Sequence, residues 1–360
     1  MNKTQDELAK TLLSRNRRIM LKKILIGLSI LVLIGMLYFA KQVNQAIPKP
    51  KLDKQDIYYS YIEGQRLLIL SNPYERVLTG DGLSNLKYAT YFPLFYELSA
   101  LSQILGLTAY PAWIKFWGLI FQGFEVATAI LLFATYARRK LEWVGIFAAG
   151  FWLFNRWTLK MVATVDLDFI PIFFMLAGLI LFSSQRKLSL LLFSISLALK
   201  QIAIFIAPIL VILIFLEGRH TKDRLLRSLN AMLLIASIPL ITSLPFLFWN
   251  APGFINSILF SVTRLAENHF SAPSLGEIVN WSGLVARLPM LLLIFGVYSL
   301  NFKGMTKLFI SATLIFAIFT NFNSVLYEGY MTWFISLLPV LIIDFLGDGK
   351  NDQRAEALPA

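Results

Sequence analysis

The residues with the most chemical reach in this chain are carboxylates and cations that stand beside apolar segments. Asp56 lies in Asp56-Ile57-Tyr58-Tyr59, about 16 residues after the first apolar run. Asp166 and Asp168 open the run that begins near residue 165, and Arg156 and Lys160 come just before it. Lys200-Gln201 separates two further runs, and Arg264, Glu267 and His269 occupy a polar stretch after residue 248. Ionisable groups at the edge of a bilayer are costly to keep there, so they point to function by default. Their chemistry is specific. A carboxylate can take the proton of an attacking hydroxyl, and lysine or arginine can hold an anionic phosphate leaving group. Each residue also has an ordinary explanation. Asp56 could be a solvated loop residue, Asp166 and Asp168 could be acids favoured at a helix N-terminus, and Lys200, Arg156 and Lys160 could snorkel outward.

The rest of the composition narrows the field. Of 360 residues, 57% are hydrophobic and 15% charged, with a mean hydropathy of +0.65. Soluble domains carry about 45–50% apolar and about 25% charged residues, so the composition disfavours a soluble enzyme and excludes a disordered chain. With no cysteine there is no disulfide framework, thiolate metal site or cysteine nucleophile. Two histidines leave little for a histidine-built metal centre.

Apolar runs lie near 24–40, 112–136, 142–158, 165–182, 188–199, 202–216, 229–248, 284–300, 307–320 and 330–346. A crossing helix needs about 20 apolar residues, so the shorter runs suggest tilted or partial spans. The first follows Arg17, Arg18, Lys22 and Lys23, as expected of an uncleaved signal anchor. Segment 93–107 repeats its apolar residues at helical spacing and reads as a helix lying in the interface. If it does not cross, 20 of the 33 basic residues fall on one side, in the N-terminal tail, the short loops and the C-terminal tail. The bias of lysine and arginine toward the cytoplasm favours that arrangement. The expected fold is therefore an all-α, polytopic membrane protein forming a single integral-membrane domain over 1–360. It has about ten crossings, both termini cytoplasmic, external segments 41–111 and 249–283, and a flexible cytoplasmic tail over 347–360. The formal charge of +12 then records topology rather than nucleic-acid binding. Asp56, Asp166, Asp168, Lys200, Gln201, Arg264, Glu267 and His269 all fall on the external face.

Five motifs in this order resemble the GT-C superfamily of integral-membrane glycosyltransferases, which use polyprenyl-phosphate-linked sugars. They are Asp56-Ile57-Tyr58-Tyr59 with Gly64 and Asn72-Pro73-Tyr74, then Tyr91-Phe92-Pro93-Leu94-Phe95-Tyr96, then Val165-Asp166-Leu167-Asp168-Phe169-Ile170-Pro171. Leu199-Lys200-Gln201 and Pro245-Phe246-Leu247-Phe248-Trp249-Asn250 complete the series. The resemblance implies that Asp56 is the catalytic base of an inverting transfer, that Lys200 and Arg264 contact the lipid phosphate, and that Asp168 shapes the site. Asp166 or Asp168 could be the counterpart of the family's second acid; Pro171 keeps its three-residue offset from Asp168. Tyr58, Tyr59, Gln201, Glu267 and His269 are further candidates for substrate binding.

No phosphate-cradling Gly-x-x-x-x-Gly-Lys loop and no Gly-x-Ser-x-Gly elbow occurs. The implied partners are a polyprenyl-phosphate sugar donor (a hexose, mannose among the options), a glycolipid, glycan or protein acceptor, and the bilayer. No cofactor is expected; a divalent ion between Asp56 and Asp168 is the weaker alternative. A lipid or solute transporter, or an envelope polysaccharide polymerase subunit, would share the composition.

Overall fold

A computed structural model describes residues 3–80, 84–268 and 272–346. His269 and the 347–360 tail lie outside the described residues. The fold is helical throughout. Its helices are α1 (Lys3–Ala46), α2 (Asp56–Leu68), α3 (Leu94–Ile104), α4 (Tyr110–Ala137), α5 (Glu142–Phe154), α6 (Arg156–Thr164) and α7 (Phe169–Leu181). They continue with α8 (Arg186–Leu199), α9 (Ala207–Glu217), α10 (Thr221–Thr263), α11 (Leu275–Ile278), α12 (Leu288–Phe302), α13 (Leu308–Phe322) and α14 (Glu328–Leu341). Among the described residues, extended pairing is confined to a two-residue parallel bridge of Glu267–Asn268 with Val325–Leu326.

Among the described residues, four helical segments are long and apolar enough to cross a membrane: Met20–Ala46, Tyr110–Ala137, Thr221–Thr263 and Val285–Phe302. The other apolar runs expected from the sequence also form helices, but shorter ones of 11 to 15 residues. At 1.5 Å per residue these reach about 16–22 Å, short of a hydrocarbon core of about 30 Å. The outer surface suits lipid. Leu31, Tyr38, Ile241, Leu292 and Phe295 are each more than 60% exposed, a density of bare apolar side chains that water would not tolerate. Inside, α7 packs on α8, α4 on α5, and α8 and α9 on α10, around buried Trp152, Phe316 and Trp333. Glu125, buried in α4, accepts a hydrogen bond from Asn44 of α1 at 2.8 Å, and its carbonyl accepts one from Trp152 Nε1. That binding of three helices gives it a structural role.

Local chemistry fixes the elements that carry the site. Segment 93–107 becomes α3, and at 11 residues it is too short to cross. It lies against α2 because Gly64 lets the two helices meet: a Cβ at Gly64 would stand 2.4 Å from Ser99 Oγ. Ser102 Oγ then accepts from the indoles of Trp113 and Trp117, which ties α3 to α4. α10 breaks at Asn250 (φ −157°, ψ 86°). Pro252 cannot donate to the ladder and its ring crowds the carbonyl four residues back. Asn250 Oδ1 instead accepts from Gly253 N at 2.9 Å and starts a second segment, 251–263. Tyr74 docks α10 to the first loop through Phe246 before the break and Phe254 after it, with its hydroxyl on the Tyr91 carbonyl.

Candidate functional site

A cavity of about 340 Å³ opens between α2, the turn after α8, the 251–263 part of α10, α12 and the segment before α14. Asp56, Tyr59, Lys200, Gln201 and Arg264, five of the residues singled out in the sequence, line it. Asp56 begins α2, and its Oδ1 accepts from Lys87 Nζ at 2.8 Å. The Asp56 side chain stays 54% exposed, so an incoming hydroxyl can reach it. Lys87 also lies 5.8 Å from the centre of the Tyr59 ring.

Lys200 is almost fully buried and forms an ion pair with Asp168. Its ammonium also lies 5.3 Å from the Tyr91 ring centre and 5.8 Å from that of Tyr330. Burial alone would lower its pKa, but Asp168 and Asp166 outweigh that and hold it above the ordinary lysine value. Asp168 also accepts from Trp333 Nε1 at 2.9 Å. It sits behind Lys200, not on the cavity wall, and so acts on the site by fixing that ammonium. Asp166, beside it and partly exposed, accepts from Asp168 N at 3.1 Å. Burial, then the charge of Asp168, pushes its carboxyl up to about 7. The turn that presents both acids is strained. Val165, a β-branched residue, takes φ 52° so that Asp166 N can bond the Met161 carbonyl. Both carboxylates face the start of α14, where a Cβ on Gly329 would stand 3.2 Å from Asp166 Oδ2.

Arg264 caps α10 and donates to Glu267 Oε2 at 2.8 Å and to the Tyr327 hydroxyl. Tyr327 donates to the same carboxylate at 2.6 Å, and Asn85 Nδ2 reaches it at 3.0 Å. Glu267 therefore serves as the counter-ion of Arg264 and is not among the lining residues. Tyr58 is not among them either: its ring meets Tyr110 edge-on at 5.0 Å.

Several lining residues were not singled out in the sequence. Glu63 stands two helical turns after Asp56 on the same face of α2 and is 1% exposed, held by Arg66 and Arg76 at 3.1 and 3.2 Å. Burial raises its carboxyl above the usual range, with the two arginines pulling the other way. Arg76 also donates to the carbonyls of Leu86 and Lys87, and so steers the loop that brings Lys87 to Asp56. Arg287 is the other omission. The signal was available, since an arginine three residues into the 284–300 run is a charge at membrane depth.

Among the described residues, no group of three or more histidine, aspartate and glutamate side chains gathers around a point where an ion could sit. Asp56 is engaged by Lys87, and Asp168 by Lys200 and Trp333, so these two acids do not fit the bridging ion considered from the sequence. No protein-family model and no curated protein sequence matches this chain.

Proposed function

We propose that this protein is an integral-membrane glycosyltransferase that moves a hexose from a polyprenyl-phosphate carrier to an acceptor hydroxyl on the external face. The observation that carries the reading is the convergence of an accessible carboxylate, Asp56, with the cations Lys200 and Arg264 on one cavity whose remaining wall is largely apolar. Asp56 takes the acceptor's proton. The acceptor oxygen forms its bond to the anomeric carbon from the face opposite the phosphate. The bond from that carbon to the phosphate oxygen breaks, and the lipid phosphate departs with the electron pair. Configuration inverts because attack and departure are on opposite faces. Cations near the departing oxygen stabilise the charge that develops there. The ten-crossing topology with both termini cytoplasmic belongs to the same proposal, because it puts Asp56, Lys200 and Arg264 on the external side.

The test is incubation of purified protein in lipid nanodiscs with a panel of radiolabelled polyprenyl-phosphate sugars and cell-envelope acceptors. Loss of label from the lipid into an acceptor, dependent on Asp56, is the expected result. Transbilayer movement of an intact lipid or solute without transfer would overturn the reading in favour of a transporter or flippase. Chain extension of a polysaccharide would overturn it in favour of a polymerase.

A further inference from the structure

Three of the four cations on the cavity wall already have their charge answered. Lys87 is paired with Asp56, Lys200 with Asp168, and Arg264 with Glu267. Arg287 is different. It is 4% exposed and lines the cavity, yet among the described residues it bonds backbone carbonyls only. Nη1 donates to the carbonyl of Gly283, and Nη2 stands 3.5 Å from the carbonyl of Arg264. A buried guanidinium without a carboxylate is expensive. A second observation points to the same place. Arg264 Nε is buried and has no hydrogen-bond partner among the described residues, although a buried donor left unmade costs about 1–3 kcal/mol. Arg264, Arg287 and Glu267 together leave one positive charge over. Next to them the wall is apolar: Phe205, Met290 and Leu291 line the same cavity, and Ile204 is half exposed.

We propose that Arg287, with the free Nε–H of Arg264, forms the seat of a single phosphate group whose apolar chain runs past Ile204 and Leu291. Arg287, not Lys200, supplies the uncompensated charge, and Lys200 is a neutralised wall residue. One spare charge matches the one negative charge of a sugar–phosphate–lipid diester better than the two or more of a diphosphate carrier. The choice of a lipid-linked ligand rests on the glycosyltransferase reading, whereas the anion seat itself does not.

Farnesyl phosphate, farnesol and inorganic phosphate serve as probes of the full-length protein in detergent, with binding followed by isothermal calorimetry. Farnesyl phosphate should bind at least tenfold more tightly than farnesol. Arg287→Gln should weaken it about 10–100-fold, the worth of one or two charge-assisted bonds, and Arg287→Lys should recover part of the loss. Lys200→Gln should weaken it less than Arg287→Gln. Equal affinity of the wild type for farnesyl phosphate and farnesol would overturn the seat, and this arm needs no variant to fold. Unchanged binding by an Arg287→Gln protein whose ligand-free melting temperature is normal would overturn it as well. Inorganic phosphate binding as tightly as farnesyl phosphate would support the seat but move its ligand from a lipid to a free anion. Binding that depends on Arg287 in a protein that transfers no sugar would overturn the proposed function and leave the seat standing. Sugar transfer that Arg287→Gln leaves intact would do the reverse.

Discussion

Asp56 and Asp168 are both carboxylates facing an ammonium, yet their surroundings give them opposite tasks. Asp56 is half exposed, and its link to Lys87 is of the kind worth about 0–1 kcal/mol. Asp56→Asn should therefore leave the melting temperature in detergent nearly unchanged, while transfer of labelled sugar falls about 10²–10⁴-fold, the range of a general base. Normal turnover by a folded Asp56→Asn protein would remove Asp56 from the mechanism. Asp168 is buried, and Asp168→Asn leaves Lys200 without its counter-charge. The expected cost is about 3–5 kcal/mol, read as loss of folded protein in denaturant titration. Asp166 supplies a pH dependence. Its carboxyl is held up at about 7 by burial and then by Asp168, against about 3.9 in an unfolded chain. Between those values the native state keeps a proton that the unfolded chain has released. Stability from this group is thus complete below about pH 4 and is lost as the pH rises through about 7. Asp166→Asn should flatten the melting temperature between pH 4 and 7 and raise it relative to wild type above pH 7.

At the level of elements, the sequence pattern located the helices well and the faces of the site poorly. Hydrophobic periodicity reports that a segment is helical and apolar, and each expected run from 24–40 to 330–346 carries a helix. It does not report which partner from a distant segment answers a charge. Asp168 and Glu267 therefore read as site residues when they are the counter-ions of Lys200 and Arg264, and Tyr58 read as a site aromatic when it packs on Tyr110. Arg287 is a single charge that the hydropathy of its run averages away, although a charge at that depth is itself a signal. Glu63 could have been found, since its seven-residue offset from Asp56 puts both on one helical face. Gly64 shows how a single residue controls this arrangement: it sets the distance between α2 and α3, and α2 carries both Asp56 and Glu63. Gly64→Val should overpack that contact at a cost of about 1–3 kcal/mol. Transfer should fall with it, because Asp56 moves with α2. A variant of wild-type stability and activity would mean that the helices can part without cost to the site.

For the whole molecule the decisive matter is which helix ends share a side of the membrane. The ends of α6, α7 and α8, the 251–263 part of α10 and the start of α14 meet at one end of the bundle, linked by Asp168–Lys200, Trp333–Asp168, Lys160–Glu328 and Tyr327–Glu267. Positions that share hydrogen bonds share a side, so any topology must put all of these together. In the proposed topology, the positive-inside bias puts the basic turns at the opposite ends of these helices in the cytoplasm. The chain has no cysteine, so each introduced thiol is unique. Leu70→Cys lies in the first loop at 82% exposure, Lys222→Cys in the first turn of α10 and Lys303→Cys just after α12. In intact cells a membrane-impermeant maleimide should label position 70 only. Positions 222 and 303 should react only after the membrane is opened. If α3 crossed instead of lying against α2, every later turn would change sides. Labelling at 222 and 303 in intact cells would then appear, and Asp56 would be parted from Lys200 and Arg264 by the bilayer.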